Sequence, residues 1–164
     1  MTRHARTLVM GNSGSGKSWL AARIAAELGA PWIDLDHLFW EPGGYNIARD
    51  KTLTHAMLDA ACAQPSWVVE GIYGSLLTRA QPRSDTLLWL CVDEAECIAN
   101  ITRRGPRRGG SVATMAALTA WAASYRSRDG SSGFAAHQAL FDGYAGAKVR
   151  LSNRSDIAAF LATG

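Results

Sequence analysis

Cysteine is scarce, long apolar runs are missing and charge is thin, and each shortage closes off a class of protein. Only three cysteines, Cys62, Cys91 and Cys97, stand in 164 residues. Their number is odd and no CxxC pair occurs, so neither a disulfide framework nor a cysteine zinc site is encoded. They read as small buried hydrophobes in a reducing compartment. No stretch approaches the roughly 20 apolar residues of a membrane helix. The basic start, Met1 to Arg6, precedes an apolar run of only Thr7 to Met10, too short for a secretory signal. A cytoplasmic protein without membrane contact is expected. Charged residues reach 19% against 48% apolar, a balance that excludes a disordered chain.

No internal repeat or low-complexity linker divides the sequence, which predicts one domain over residues 1–164, a monomer or weak homodimer. A chain of this length buries roughly two thirds of the surface its unfolded form exposes and needs no covalent staple.

What is present is positive charge in clusters. The net charge is only +3, but Arg103, Arg104, Arg107 and Arg108 bunch together, and Arg126 and Arg128 follow. Such bunching suits an anion that must be gripped, or nucleic acid. No helix-turn-helix signature, zinc spacing or extended basic stripe accompanies it, so nucleic acid is the less favoured partner.

Short β-branched and aromatic runs at Thr7–Met10, Pro31–Leu35, Trp67–Glu70, Thr86–Val92 and Lys148–Leu151 predict five buried parallel strands. Helical spacing fills the intervals: Lys17–Leu28, Arg49–Ala63, Ser75–Ala80, Glu94–Arg103, Val112–Ser127, Gly133–Phe141 and Ser155–Leu161. Alternating strands and helices imply right-handed crossovers and a three-layer α/β sandwich. Gly105–Gly110 fits neither pattern and reads as a mobile arginine-rich loop. Trp121 and Tyr125, four residues apart, are expected in the core.

The run Gly11-Asn12-Ser13-Gly14-Ser15-Gly16-Lys17-Ser18 matches GxxxxGK[ST] between a predicted strand and a predicted helix. Glycines let successive N–H groups converge on one anion, and the helix adds the positive end of its dipole. Lys17 supplies a mobile charge for the β and γ phosphates of a nucleotide, and the Ser18 hydroxyl is a magnesium ligand. The octet and Trp19 after it are the candidate nucleotide contacts.

In an open parallel sheet, ligands bind at the carboxyl ends of strands. Asp34 and Asp36 close the second predicted strand, Glu70 the third and Asp93 the fourth. If the strand continues, Asp34 and Asp36 share a face and can hold an acceptor hydroxyl or the magnesium shell; otherwise they cap a loop. Glu70 suits a carboxylate that orders magnesium, whereas Asp93, before Glu94-Ala95-Glu96, reads as a helix cap. Trp40 and Tyr45 either stack on a flat ring or plug the core, and His37 reads as a hydrogen-bonded structural histidine.

Together, GNSGSGKS, IDLDHLFWEPGG, VVEGIYGSLLTR, DTLLWLCVD and WAASYRSR resemble the small adenylate-kinase-like P-loop proteins, and more narrowly the set labelled DNA topology modulation proteins. The resemblance spans about Thr7 to Leu161. It implies a nucleoside-monophosphate-kinase or shikimate-kinase core with strand order 2-3-1-4-5, an acceptor-binding region at about 36–63 and a short lid at about 103–111. It puts Glu70-Gly71 beside the magnesium, Arg79 near an acceptor phosphate, and Arg103 or Arg104 over the adenine and phosphates. Arg126 and Arg128 would reach the transferring group, and Asn153 and Arg154 the adenine edge. The lid is too short for a lid domain and no AMP-gripping pattern is legible, so the chain departs from adenylate kinase itself.

The function expected is ATP- and Mg2+-dependent transfer of the γ-phosphoryl group to a small acceptor, with Lys17, Asp36, Arg104 and Arg126 as catalytic candidates. Asp34, Asp36, Trp40, Glu70, Arg79 and Arg128 are candidates for the acceptor side, and Ser18 and Glu70 for the metal. The alternative is a regulatory P-loop NTPase or nucleic-acid-associated protein without a small acceptor.

Overall fold

The computed structural model describes residues 4–107 and 109–163. Five strands form one parallel sheet in the order β2-β3-β1-β4-β5, as expected. They are β1 (Arg6–Gly11), β2 (Trp32–Asp34), β3 (Trp67–Gly71), β4 (Thr86–Leu90) and β5 (Ala147–Leu151). The helices are α1 (Lys17–Leu28), α2 (Leu35–Phe39), α3 (Lys51–Cys62), α4 (Gly74–Ala80), α5 (Glu94–Arg104), α6 (Val112–Ala123), α7 (Phe134–Gly143) and α8 (Arg154–Ala162).

Strand alternation divides the interior into two layers of side chains. On one face Leu8, Met10, Trp67, Val69, Leu87 and Trp89 pack with Leu58 of α3, Leu77 of α4 and Phe141 of α7. On the other, Val9, Val68, Leu88 and Leu90 pack with Leu20 and Ile24 of α1, Cys97 of α5 and Phe160 of α8. The inner strands β1, β3 and β4 are therefore covered on both faces and read as continuous apolar runs, whereas the edge strands are not buried as expected: β2 is half open and β5 exposes Ala147, Lys148 and Arg150. The three cysteines are free and buried, as expected. Among the described residues no helix is long and apolar enough to cross a membrane.

Local rules set most boundaries. Gly29, in the left-handed region at φ 61°, ends α1 and returns its N–H to Ala25 and Ala26 carbonyls. The Asp50 carboxylate accepts from Leu53 N to start α3, and Ser111 with Thr114 forms a capping box on α6.

Four expectations need correction. β2 does not continue to carry Asp34 and Asp36 on one face: it stops at Asp34, whose carboxylate accepts from Asp36 N at 2.9 Å and starts α2. The helix predicted through Ser127 ends at Ala123, so Trp121 and Tyr125 do not share a helical face. Tyr125 is fully buried, but Trp121 is 42% exposed, with the Arg128 guanidinium 3.3 Å from its ring centroid. His37 is exposed, 3.9 Å from Asp34 and not locked into a structural hydrogen bond. Asp93 does occupy the cap position of α5, yet its side chain makes no capping bond.

Candidate active site

The central strand β1 delivers the glycine-rich loop to the carboxyl edge of the sheet. Gly11 is required by space, because a Cβ there would lie 2.8 Å from the Leu90 carbonyl oxygen and 2.7 Å from Ser15 Oγ. Gly14, at φ 77°, presses its Cα against the Cys97 carbonyl of α5 and leaves no room for a side chain. Asn12 is buried and donates from Nδ2 to the Ala122 carbonyl at 2.9 Å, so the loop is pinned to α6 as well. Lys17 Nζ donates to the Asn12 carbonyl at 3.2 Å, folded back across the loop at the start of α1. Ser15 Oγ is buried without a protein partner, a polar atom left for a ligand.

Ser18 Oγ donates to Glu70 Oε1 at 2.8 Å. Parallel pairing sets Asp34 of β2 directly beside Glu70 of β3, so the two acidic strand ends share a face. Glu70 is 1% exposed, and burial pushes its carboxyl up to about 7, reinforced by Asp34 and Asp36 and opposed by Lys17 and the Ser18 hydrogen bond. Burial and the Asp36 charge also raise Asp34. Gly71 lets β3 pass Leu35, since a Cβ there would lie 2.7 Å from Leu35 Cβ. Among the described residues no three His, Cys, Asp or Glu side chains gather as a metal cage. One hydroxyl beside one carboxylate, next to an anion cradle, fits Mg2+, which takes few protein ligands and completes its shell with phosphate and water.

Beside these acids, Tyr73 OH donates to Asp36 Oδ1 at 2.7 Å and Trp40 Nε1 donates to Tyr73 OH at 2.8 Å. Phe39 stacks on Tyr73 with centroids 4.3 Å apart and planes 3° from parallel. Trp40 meets Phe39 edge-on at 4.8 Å, and Tyr45 meets Trp40 edge-on at 6.2 Å. Trp40 is half-buried among Phe39, Tyr73 and Tyr45 and belongs to neither apolar core layer.

Behind the loop lies a cavity of about 920 Å3, lined by Gly14 to Trp19, the arginines 103, 104, 107 and 154, and Ile157 and Leu161 of α8. Arg108, the remaining arginine of that cluster, lies outside the described residues. Arg104 also lies within electrostatic reach of Tyr45 and Asp36, while burial and Arg107 disfavour its charge.

Four sequence-chosen residues are turned to other partners. Arg79 forms a paired contact with Asp59, Nε to Oδ1 at 2.9 Å and Nη2 to Oδ2 at 2.6 Å. Arg126 is held by Glu94 at 2.9 Å. Arg128 donates to the Trp121 and Ser132 carbonyls. Asn153 caps α8 by accepting from Asp156 N at 2.8 Å, and its neighbour Arg154 is the one that lines the cavity.

Two residues escaped sequence reasoning. Asn100 of α5 donates from Nδ2 to the Gly14 carbonyl at 2.9 Å, while its Oδ1 accepts from Arg103 at 3.2 Å and Arg154 at 3.3 Å. A polar, weakly helical residue inside α5 was its only signal. Tyr73 sits at the cap position of α4, where a side chain able to cap is favoured, and makes no capping bond. Deeper still, Trp89 Nε1 donates to Tyr125 OH at 3.1 Å, Tyr125 OH to His137 Nδ1 at 2.6 Å, and His137 Nε2 to the Ile72 carbonyl at 2.8 Å. That last bond ties α7 to the chain just beyond Glu70, and it assigns the ring proton to Nε2.

No family model matches the sequence, and no curated protein is similar to it. Solved structures are similar. A sugar kinase from Janibacter sp. HTCC2649 superposes over 95% of this chain and 91% of its own, at 14% identity and TM-score 0.54. A gluconokinase from Sinorhizobium meliloti gives 97%, 92%, 17% and 0.56, and a shikimate kinase from Bacteroides thetaiotaomicron 98%, 96%, 16% and 0.56. With its five parallel strands in the order 2-3-1-4-5, the chain has the fold of these small P-loop kinases.

Proposed function

We propose that this protein is a phosphotransferase that moves the γ-phosphoryl group of ATP, with Mg2+, to the hydroxyl of a small acceptor. The observation that carries the reading is the Ser18–Glu70 hydrogen bond at the foot of the glycine-rich loop, with Lys17 on one side and Asp34 and Asp36 on the other. On this reading the nucleotide lies in the arginine-lined cavity behind the loop. Residues 36–63 hold the acceptor and 103–111 close over the nucleotide, all within one domain of residues 1–164. The Ser18 hydroxyl and the Glu70 carboxylate would hold Mg2+, which would neutralise phosphate charge.

The acceptor oxygen bonds to the γ phosphorus while the bridging P–O bond breaks, and ADP leaves with that electron pair. The hydroxyl proton passes to Asp36, whose Oδ1 is fixed by Tyr73 and whose Oδ2 is left for the acceptor. Loop N–H groups, Lys17 and Arg104 meet the charge that builds on the phosphoryl oxygens. Buried free thiols support a reducing, cytoplasmic setting.

The test is a mass-spectrometric screen for a phosphate gained by hydroxyl compounds incubated with protein, ATP and Mg2+. The reading requires acceptor-dependent ADP release. ATP binding without transfer to any acceptor would leave a regulatory NTPase.

A further inference from the structure

Resting on the kinase reading, we propose that the acceptor is an uncharged compound with a flat ring and a hydroxyl, of the nucleoside class, and not a phosphate or a carboxylate. The charge of the acceptor wall points this way. Three carboxylic acids, Asp34, Asp36 and Glu70, stand together there, and the nearest cation, Lys17, belongs to the glycine-rich loop, where it donates to the Asn12 carbonyl. An acceptor anion brought among these acids would meet like charge and be disfavoured unless a cation intervenes.

Three arginines of the neighbouring segments, Arg49, Arg79 and Arg83, are held by other partners. Arg49 is largely covered: Nε donates to the Leu38 carbonyl at 3.0 Å, Nη2 to the His37 and Trp40 carbonyls at 3.2 Å each, and Nη1 faces Glu41 at 3.5 Å. It ties α2 to the strap that follows, where Trp40 pairs with Ala48. Arg79 and Arg83, after β3, both turn to Asp59 of α3. Lys51, the other lysine or arginine of residues 36–63, stands exposed on the first turn of α3. Arg104 lines the cavity and lies within electrostatic reach of Asp36, which suits the phosphoryl group in flight.

What the wall does offer is ring surface. Phe39 and Tyr73 lie parallel, Trp40 closes their edge, and the Trp40 and Tyr73 polar atoms satisfy one another and Asp36. A flat ring can pack there without stranding a donor. The sugar kinase, gluconokinase and shikimate kinase therefore share a fold with this chain but are no guide to its acceptor.

The experiment compares kcat/KM for nucleosides, their 5′-monophosphates, gluconate and shikimate, with ATP and Mg2+ fixed and phosphate gain read by mass spectrometry. Transfer to at least one nucleoside, with monophosphates and acids at least tenfold poorer, is expected; tenfold corresponds to about 1.4 kcal/mol. A monophosphate or acid used as well as its neutral counterpart overturns the proposal and leaves the kinase reading standing. Transfer to none of these compounds also overturns it, whereas failure to bind ATP defeats the kinase reading beneath. The Arg79→Ala variant should keep wild-type kcat/KM for the preferred acceptor. A tenfold loss with the protein still folded would make Arg79 an acceptor grip and overturn the proposal.

Discussion

The Tyr73 hydroxyl donates to Asp36 Oδ1 at 2.7 Å, joining the end of β3 to the short helix after β2. The bond fixes which carboxylate oxygen faces outward. Burial and the Asp36 charge push the Tyr73 pKa far above its usual value, so the phenol stays a donor at any working pH. In Tyr73→Phe the ring stack on Phe39 survives, but Asp36 loses its orientation and Trp40 Nε1 its acceptor. Acceptor-stimulated kcat should fall about tenfold or more, with ATP affinity kept. The orphaned indole N–H should cost about 1–3 kcal/mol of stability, measured by urea unfolding. Unaltered turnover would remove Asp36 orientation from the mechanism.

Through one amide, Asn100 joins the glycine-rich loop, Arg103 of α5 and Arg154 of α8. In Asn100→Ala, Arg103 and Arg154 lose their common acceptor and the Gly14 carbonyl loses its donor. Binding of a non-hydrolysable ATP analogue should weaken about fivefold to thirtyfold, as expected when one or two hydrogen bonds that shape a site are lost. Calorimetry reads this directly. Asn100→Asp should be no rescue, because a carboxylate cannot donate to Gly14.

Sequence reading reached the frame further than the site. The strand order is what the family resemblance implies, and a fixed motif and an acidic strand end single out Ser18 and Glu70, whose hydrogen bond only the structure shows. The arginines were not legible. A long guanidinium reaches several carboxylates and carbonyls, and only tertiary packing decides that Arg79 meets Asp59 and Arg126 meets Glu94. Asp34 was ambiguous for a similar reason: a carboxylate at a strand end is a ligand or a cap by a single turn of backbone, and here it caps α2.

On the proposed kinase reading, Lys17 and Asp36 act on different parts of the barrier and should fail differently. Lys17 meets phosphate charge that shifts during transfer, so Lys17→Ala should cut turnover with every acceptor and lower ATP hydrolysis without one. Asp36→Asn should bind ATP with magnesium as before and lose acceptor-dependent turnover by about a hundredfold, the usual scale of a general base. Steady-state ADP release with and without acceptor separates the two. Loss of magnesium-dependent ATP binding in Asp36→Asn would transfer the residue to the metal shell.

Glu70 and His137 load the fold in opposite senses as pH changes. Burial raises the Glu70 carboxyl from an ordinary 4.5 to about 7, so between those values the folded state holds more protons than the unfolded one. Stability then falls as pH rises through that window, and the full cost is present above about 7. Burial lowers His137 from 6.5 to about 4, so there the unfolded state holds more protons and stability rises with pH between those values. In the wild type the two slopes oppose each other from 4.5 to 6.5. Glu70→Gln keeps an acceptor for Ser18 but carries no charge, so it removes only the first slope. Without nucleotide, the variant should exceed wild type by up to about 3 kcal/mol at pH 8, since each shifted unit is worth about 1.4 kcal/mol. At pH 4 the gain should vanish, because the wild-type carboxyl is then protonated in both states. Urea unfolding of the two proteins at pH 4, 6 and 8 measures the difference. An equal gain at every pH would mean that the side-chain swap, and not the buried charge, sets the stability.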